Sequence, residues 1–442
     1  MTDANGGTSS GRRGGPRCVA LVGPFGSGKT TLLEAILERT GAVTRAGTVA
    51  AGNTVGDASQ EAREHHMGVE LNVAECDFLG DRYTFIDCPG SVEYLFETEA
   101  ALAGVDVAVV VAEADEKKIP ALQLTLRMLE DREIPHILFL NKLDKTEGGV
   151  REVLELMQPA SRAPMVLRQI PLIKNGATIG SIDLALERAY IWHEHAPSEI
   201  APIPDGERAA EVEARFQMLE RIADYDDHLM EELLSDVAPP IEEIFGDLGK
   251  ELRAGQICPV FIGSAEHGNG IGRLLKALRH EAPGLDETQA RLGLTANAEA
   301  VVQVMKTIHT PHGGKLSVAR VLSGKVADGV TLFASDGASD RISGIYKLVG
   351  KDQQKKSEAV AGETVALGKV EPAQTGMTLT SHKGGMPELA DVVAPAPVMG
   401  FAIASLDHKD DVKLSAALTK ITEEDPSIRI RQDQDTGETL LE

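Results

Sequence analysis

The sequence predicts a multidomain α/β + β chain: a mostly parallel sheet with helices on both faces, an α/β insertion within that domain, then a β-barrel domain, then part of a ferredoxin-like α+β domain. Three observations predict this. Up to about residue 283, near-continuous apolar runs of strand length alternate with helix-like segments, the pattern of parallel strands covered on both faces. From about 300 to 395, short β-rich runs are punctuated by Gly and Asp turns, with no helical periodicity. Beyond the linker Pro395-Ala396-Pro397 the order strand–helix–strand–strand gives about half of a split βαβ unit. The 442 residues suit two to four domains.

Residues 1–17, rich in Gly, Ser and Arg, read as a disordered tail; Arg12-Arg13 is followed by no signal-peptide apolar stretch. The first domain is expected over 18–283, with strands at 18–22, 83–86, 105–111, 136–140 and 259–262 and helices at 29–39, 92–103, 121–131 and 149–157. Residues 158–254 form an inserted subdomain between the 136–140 and 259–262 strands of the sheet. It holds a hairpin of 165–173 and 178–184 turning at Asn175-Gly176, then an acidic helix with Val212, Phe216, Leu219 and Ala223 on one face. After Pro283 helices are expected to disappear. The barrel spans 297–395, with strands at 301–307, 316–322, 330–333 and 364–367 and turns such as His312-Gly313-Gly314-Lys315. The last unit spans 398–442, with a strand at 399–406, a helix at 410–423, a strand at 427–432 and another from Glu438. Half of a ferredoxin-like domain leaves an open sheet face, so the sequence reads as truncated.

Composition excludes several classes. No apolar run approaches the ~20 residues of a membrane helix, and the longest, 105–112, is interrupted by Asp106. A net charge of −24 argues against bulk electrostatic coating of nucleic acid but does not exclude local basic contacts with RNA; no sequence-specific nucleic-acid partner is expected. Cys18, Cys76, Cys88 and Cys258 are scattered, without metal-ligand spacing, and read as reduced, buried thiols of a cytoplasmic protein.

The chemistry is carried by four short motifs. Gly23-Pro24-Phe25-Gly26-Ser27-Gly28-Lys29-Thr30 fits G-x-x-x-x-G-K-[ST] between a strand and a helix. Gly23, Gly26 and Gly28 allow the loop, with Ser27, to wrap phosphate with backbone N–H groups, and the helix N-terminus favours the anion. Lys29 is expected to reach the β- and γ-phosphates as a catalytic and binding group, Thr30 to hold Mg²⁺, and Thr31 to follow in the same nucleotide site. Asp87-Cys88-Pro89-Gly90 closes a strand: Asp87 suits a Mg²⁺ site through water, and the Gly90 N–H suits the γ-phosphate, since only Gly allows such close approach. Alone, that motif is an ordinary turn. In Asn141-Lys142-Leu143-Asp144, the Asp144 carboxylate can accept from N1–H and N2–H of guanine, a donor pair adenine lacks. Asn141 would brace the loop and Lys142 cover the ring face, so GTP and GDP are expected rather than ATP. Gly263, Ser264 and Ala265 would offer a backbone N–H to guanine O6. It is the order of the four, each at the end of a separate strand, that carries weight. His65-His66 reads as an exposed pair without a third metal ligand, the Lys cluster of 351–356 as a solvated loop, and Trp192 as packing.

With these residues the chain resembles bacterial elongation factor G, from the P-loop to its last residue. Gly180-Ser181-Ile182-Asp183-Leu184 and Ala189-Tyr190-Ile191-Trp192 look like that factor's G-domain insertion. The run from Gly314-Lys315-Leu316 to Ser323-Gly324 is similar to its second-domain signature, and Glu424-Asp425-Pro426-Ser427 with Thr436-Gly437-Glu438-Thr439 to the start of its third. The resemblance implies a cytoplasmic, monomeric GTPase acting on the ribosome, using GTP/GDP and Mg²⁺. Family members continue through further domains, including the one that enters the decoding region.

Two positions depart from the family pattern. Ser91 stands where a histidine orients the attacking water; a serine is shorter and carries no positive charge. In the run Gly68-Val69-Glu70-Leu71, Glu70 stands where a Mg²⁺-binding threonine closes switch I; a carboxylate can still ligate Mg²⁺. The expectation is a divergent paralogue that binds nucleotide and hydrolyses GTP slowly or by an atypical geometry, because phosphoryl transfer depends on positioning. The competing readings are a non-hydrolysing GTP-dependent switch, a ribosomal protection or release-type GTPase, and, against the guanine motif, an ATP-using enzyme.

Overall fold

The computed structural model describes residues 15–442 except 57–58, 66, 147–148, 296–298, 311–313, 351, 385–386, 388 and 390–391. Residues 1–14 of the tail expected over 1–17, with Arg12-Arg13, and His66, His312, Gly313 and Lys351 lie outside the described residues. Arg17, placed in that tail by the sequence, instead begins the first strand: it is buried, its Nε donates to Pro283 O at 3.2 Å, and it pairs in register with Tyr83.

The chain opens with β1 (Arg17–Val22) and α1 (Lys29–Thr40), then α2 (Gln60–His65) and the antiparallel pair β2 (Asn72–Phe78) and β3 (Asp81–Asp87). Next come α3 (Leu95–Leu102), β4 (Val107–Ala112), α4 (Ile119–Asp131), β5 (His136–Leu140), α5 (Val150–Met157) and β6 (Met165–Leu167). A meander follows of β7 (Gln169–Lys174), β8 (Ala177–Asp183), β9 (Arg188–His193) and β10 (Ala196–Ala201), then α6 (Arg208–Ala223), α7 (Asp227–Leu234) and α8 (Ile241–Arg253). The first part closes with β11 (Cys258–Ile262), α9 (Ile271–His280) and α10 (Leu285–Arg291). Its main sheet has the order β2-β3-β1-β4-β5-β11-β6, parallel throughout except for the β2 edge. Alternate residues of β1 feed different cores, since side chains leave a strand on opposite faces. Cys18, Ala20 and Val22 pack with α3–α5 residues such as Leu102, Leu126 and Leu154, whereas Val19 and Leu21 pack with α1 and α9.

Several local expectations change. β2 carries no clear strand signal in the sequence, because its alternation includes buried polar residues: Glu75 is held by Lys347 at 3.0 Å. The run 165–173 is two strands: β6 joins the main sheet beside β11, and β7 pairs with β8. The break falls at Arg168, whose buried guanidinium grips Glu281 and whose N–H and C=O bridge Val260 O and Leu184 N. The β7–β8 turn is Asn175-Gly176, with φ of 54° and 79°, the double positive φ of a tight hairpin. On α6 the expected Leu219 and Ala223 are buried, together with Ala214, Met218 and Ile222, while Val212 and Phe216 are 61% and 53% exposed. The 212/216 stripe lies off the line that meets Val166, Leu184 and Ile244. Helices do not end at Pro283: α10 follows, with Glu287 Oε2 accepting from Gly284 N at 3.0 Å; its two polar turns give no apolar stripe to read.

The β-rich part comprises β12 (Val301–Thr310), β13 (Gly314–Ser323), β14 (Lys325–Ala327), β15 (Thr331–Phe333), β16 (Ser339–Arg341), β17 (Ile345–Val349), β18 (Asp352–Lys356), β19 (Glu358–Val360), β20 (Thr364–Gly368) and β21 (Thr378–Thr380). The order β16-β15-β21-β12-β13-β20-β17-β18, with β14 paired to β19, curls around Val302, Val304, Val321, Val365 and Leu367. The basic stretch read as a loop is the edge strand β18, its side chains mostly solvated. Last come β22 (Phe401–Ile403), α11 (Asp411–Glu424), β23 (Ile430–Gln432) and β24 (Thr439–Leu441), in an antiparallel sheet of order β22-β24-β23. That order, with the third strand between the first two, is the split βαβ arrangement. Trp192 packs on the first core and all four cysteines are buried and unbridged. No described helix is long and apolar enough to cross a membrane.

Polar locks join these parts. Asp106, wholly buried before β4, accepts from Cys18 N, Thr288 Oγ1 and Arg320 Nη2 of β13, each at 2.7 Å. Lys306 of β12 bonds Glu97 of α3, and Glu423 of α11 takes His309 Nε2 at 2.8 Å and Lys315 Nζ at 2.9 Å.

Candidate functional site

The loop between β1 and α1 folds as it does because glycine is required there. Gly23, Gly26 and Gly28 have φ of 134°, 69° and 96°. A Cβ on Gly28 would overlap Asn141 Nδ2, and one on Gly23 would overlap Val111 O. The loop closes on Lys29, whose Nζ donates to Gly23 O at 3.0 Å and Pro24 O at 3.1 Å. Burial pushes the Lys29 ammonium below its ordinary range, with Asp87 opposing the shift. A buried ammonium held by carbonyls is poised for an anion.

Thr30 and Asp87 come from α1 and the end of β3 and meet at Thr30 Oγ1–Asp87 Oδ2, 2.7 Å. Next to them, a Cβ on Gly90 would overlap Lys29 Nζ and lie 2.9 Å from Phe25 N, so this backbone needs the absence of a side chain. A cavity of about 260 Å³ is lined by Gly26, Gly28, Lys29, Thr30 and Thr31, with Gly90, Lys142 and Gly68 also on its wall.

The third and fourth motifs lock onto the first. Asn141 Nδ2 donates to Ser27 O and its Oδ1 accepts from Ala265 N, both at 2.8 Å, so one side chain holds the P-loop and the last loop together. Leu143 N donates to Gly263 O at 3.1 Å, and Ser264 bridges to Asn269. Lys142 sits at φ 58° with Nζ 2.6 Å from Gly26 O. Asp144 lies 3.7 Å from His267 Nε2.

Of two further proposed positions, Ser91 adjoins Gly23 and Gly90 on the wall of a small cavity, and Glu70 lies apart from the cluster. The Ser91 hydroxyl is engaged by Glu93 at the surface. Glu70 lines a separate cleft with Leu71, Ile308 and Leu348, between the segment before β2 and the barrel-like sheet, whereas Gly68, two residues earlier, reaches the cavity at Lys29 and Thr30.

The structure adds residues that motif reading did not find. Glu113, at the end of β4, pairs with Lys142 at 2.7 Å and with Lys118; against the effect of burial, the two ammonium groups hold its carboxyl below the usual range. Hydrogen bonding to Glu194, reinforced by Asp144, raises the His267 imidazole. Glu34 of α1, buried, accepts from Gly47 N and Val55 N at 2.6 Å each and so fixes the loop that leads to Gly56. An acid one turn into the P-loop helix was the one available signal for Glu34; Glu113 and His267 had none.

Known proteins resemble this chain over nearly its whole length. Residues 16–284 match the family model of the elongation factor Tu GTP binding domain, residues 299–382 that of elongation factor G domain 2, and residues 394–442 that of elongation factor G domain III. An elongation factor G-like protein of Synechocystis sp. is 42% identical over 427 residues, covering 96% of this chain and 63% of the relative. Elongation factor G of Fervidobacterium nodosum is 30% identical over 439 residues, with 96% and 63% covered. A crystal structure from Thermus thermophilus superposes with a TM-score of 0.86 at 31% identity, over 96% of this chain and 63% of that one. The chain thus spans just under two thirds of the proteins it matches. A P-loop whose glycines, lysine and threonine meet Asp87 and the Asn141 loop, in a domain followed by these two further segments, makes the chain a member of the elongation factor Tu GTP-binding-domain family, of the elongation-factor-G-like kind.

Proposed function

We propose that this chain binds GTP and GDP and hydrolyses GTP on the ribosome, slowly or by a geometry that uses no histidine. The observation that carries the reading is the 2.7 Å Thr30–Asp87 bond beside a buried Lys29 in a glycine-dependent loop, with Asn141 tying that loop to the guanine-side loops. The P-loop N–H groups and Lys29 would bind the phosphates, and the Gly90 N–H would meet the γ-phosphate. Asp144 would exchange His267 for the N1–H and N2–H of guanine; the Ala265 N–H, expected to meet guanine O6, instead donates to Asn141 Oδ1, so its part is to brace the loop. Thr30, and Asp87 through water, would hold Mg²⁺, which when bound would supply positive charge beside the phosphates. Glu70 would join that ion only if its segment moves toward Gly68. The functional division proposed is a nucleotide domain over 18–283 with its 158–254 insertion, a barrel over 297–395 and a third unit over 398–442. The protein is proposed to act as a cytoplasmic monomer.

A non-hydrolysing switch is the second reading, favoured by the Ser91 hydroxyl being taken by Glu93. GTP turnover by the wild type and by Ser91→His, with and without ribosomes, separates them. Slow ribosome-stimulated turnover that Ser91→His accelerates supports the first reading. Tight GTP binding without turnover in wild type supports the switch, and fast wild-type turnover refutes the role given to Ser91.

A further inference from the structure

On the helical part of the insertion, outside the nucleotide site, α7 and α8 bring a group of carboxylates together. Asp226, Glu243 and Asp247 each offer an oxygen within 4.8 Å of the others, and His228, Glu232 and Glu243 form a second such set sharing Glu243. Local bonds use part of this group. Asp226 Oδ1 caps α7 by accepting from His228 N and Leu229 N, its Oδ2 takes Lys250 Nζ at 3.3 Å, and His228 Nδ1 lies 2.7 Å from Glu243 Oε1. Asp247 is different: the residue is only 7% exposed and its Oδ2 has no hydrogen-bond partner. One turn further along α8, Glu251 is fully buried with both carboxylate oxygens unpartnered.

Buried carboxylates without donors are costly, and in folded proteins they are paired, protonated or coordinated to metal. One lysine and one histidine reach this group through ion pairs. A cation seated between α7 and α8 would satisfy the Asp247 oxygen and offset the repulsion among its neighbours, while leaving the Asp226 cap intact.

We propose that Asp226, Glu243 and Asp247, with His228 at the rim, form a binding site for a divalent metal ion on the inserted segment. Carboxylate donors joined by an imidazole suit first-row ions such as Mn²⁺ or Zn²⁺ better than they suit Mg²⁺, which prefers oxygen ligands and retained water. Bound there, the ion cross-links the start of α7 to the middle of α8.

The test titrates the full chain, saturated with GDP and Mg²⁺ to fill the P-loop site, with Zn²⁺ and separately with Mn²⁺ by calorimetry. Wild type, Asp247→Asn and Glu243→Gln are compared, each also by thermal melting. The expected result is one added ion per wild-type chain and a loss of about tenfold or more in affinity in each variant. Metal should raise the wild-type melting temperature and leave the variants unmoved. In metal-free buffer Asp247→Asn should melt no lower than wild type, since it removes an unpaired buried charge. No added ion in wild type, or equal binding by both variants, overturns the site.

Discussion

Asp144 has the sharpest single-residue role, because base selection is proposed to rest on what its two oxygens accept. Replacing it with asparagine turns one acceptor into a donor facing the N2–H₂ group of guanine. Each lost charge-assisted bond is worth roughly 1.5–3 kcal/mol, so Asp144→Asn should weaken GTP by about 10- to 100-fold. Xanthosine triphosphate, with an acceptor at that position, should bind the variant better than it binds wild type; competition titrations of the two nucleotides check this. Such a residue is legible in sequence because Asn141, Lys142 and Asp144 are nearly contiguous. Glu113, which takes the Lys142 ammonium at 2.7 Å, lies far from it in the chain and was invisible until the sheet put the ends of β4 and β5 side by side. His267 is hidden in the same way, since only folding sets it beside Asp144.

Among elements, α1 does more than present the P-loop. Its Glu34 carries the segment between Gly47 and Val55 on two short bonds to backbone N–H groups. That segment then passes Gly56, where a Cβ would lie 2.7 Å from Asp87 Oδ2, so the loop is held over the Thr30–Asp87 pair. Glu34→Gln retains the shape and can satisfy only one of the two donors well. A loss of roughly 1.5 kcal/mol should speed hydrogen exchange at Gly47 and Val55 about tenfold, while the β1 and β4 amides stay protected. Elements with strong periodicity are legible in the sequence: the near-continuous apolar runs of β1, β4, β5 and β11 announce burial on both faces. Elements decided by partners are not. The α6 face is read correctly at Leu219 and Ala223 and misread at Val212 and Phe216, which continue the apolar stripe but stay exposed in the described structure. The 165–173 run gives no sign that Arg168 divides it between two sheets.

For the whole molecule, the decisive contact is the one the sequence makes look like a flaw. Asp106 interrupts the longest apolar run, and folding turns that interruption into the point where β1, α10 and β13 are fastened together. Arg320 and Asp106 are both completely buried, so neutralising one leaves the other unpaired. Asp106→Asn should cost about 3–5 kcal/mol. Denaturant unfolding monitored for each part should show the barrel-like sheet and the main sheet parting into two transitions where wild type shows one. The architecture of each part was legible from its own pattern of runs and turns; the fastening between parts was not, because no local pattern announces a partner that distant in the chain.

The placement of sulfur carries a consequence of its own. Cys18, Cys76 and Cys258 lie in strands of the main sheet and Cys88 just past β3, and the chain has no others. Burial drives all four thiols up, so the reactive thiolate is suppressed while that sheet stays closed. A thiol-directed dye therefore keeps time for the main sheet and for its seam with β20, where Thr364 Oγ1 donates to Cys18 Sγ at 3.6 Å: the colour it develops clocks how often that region breathes open, and it stays silent while the last three strands fray.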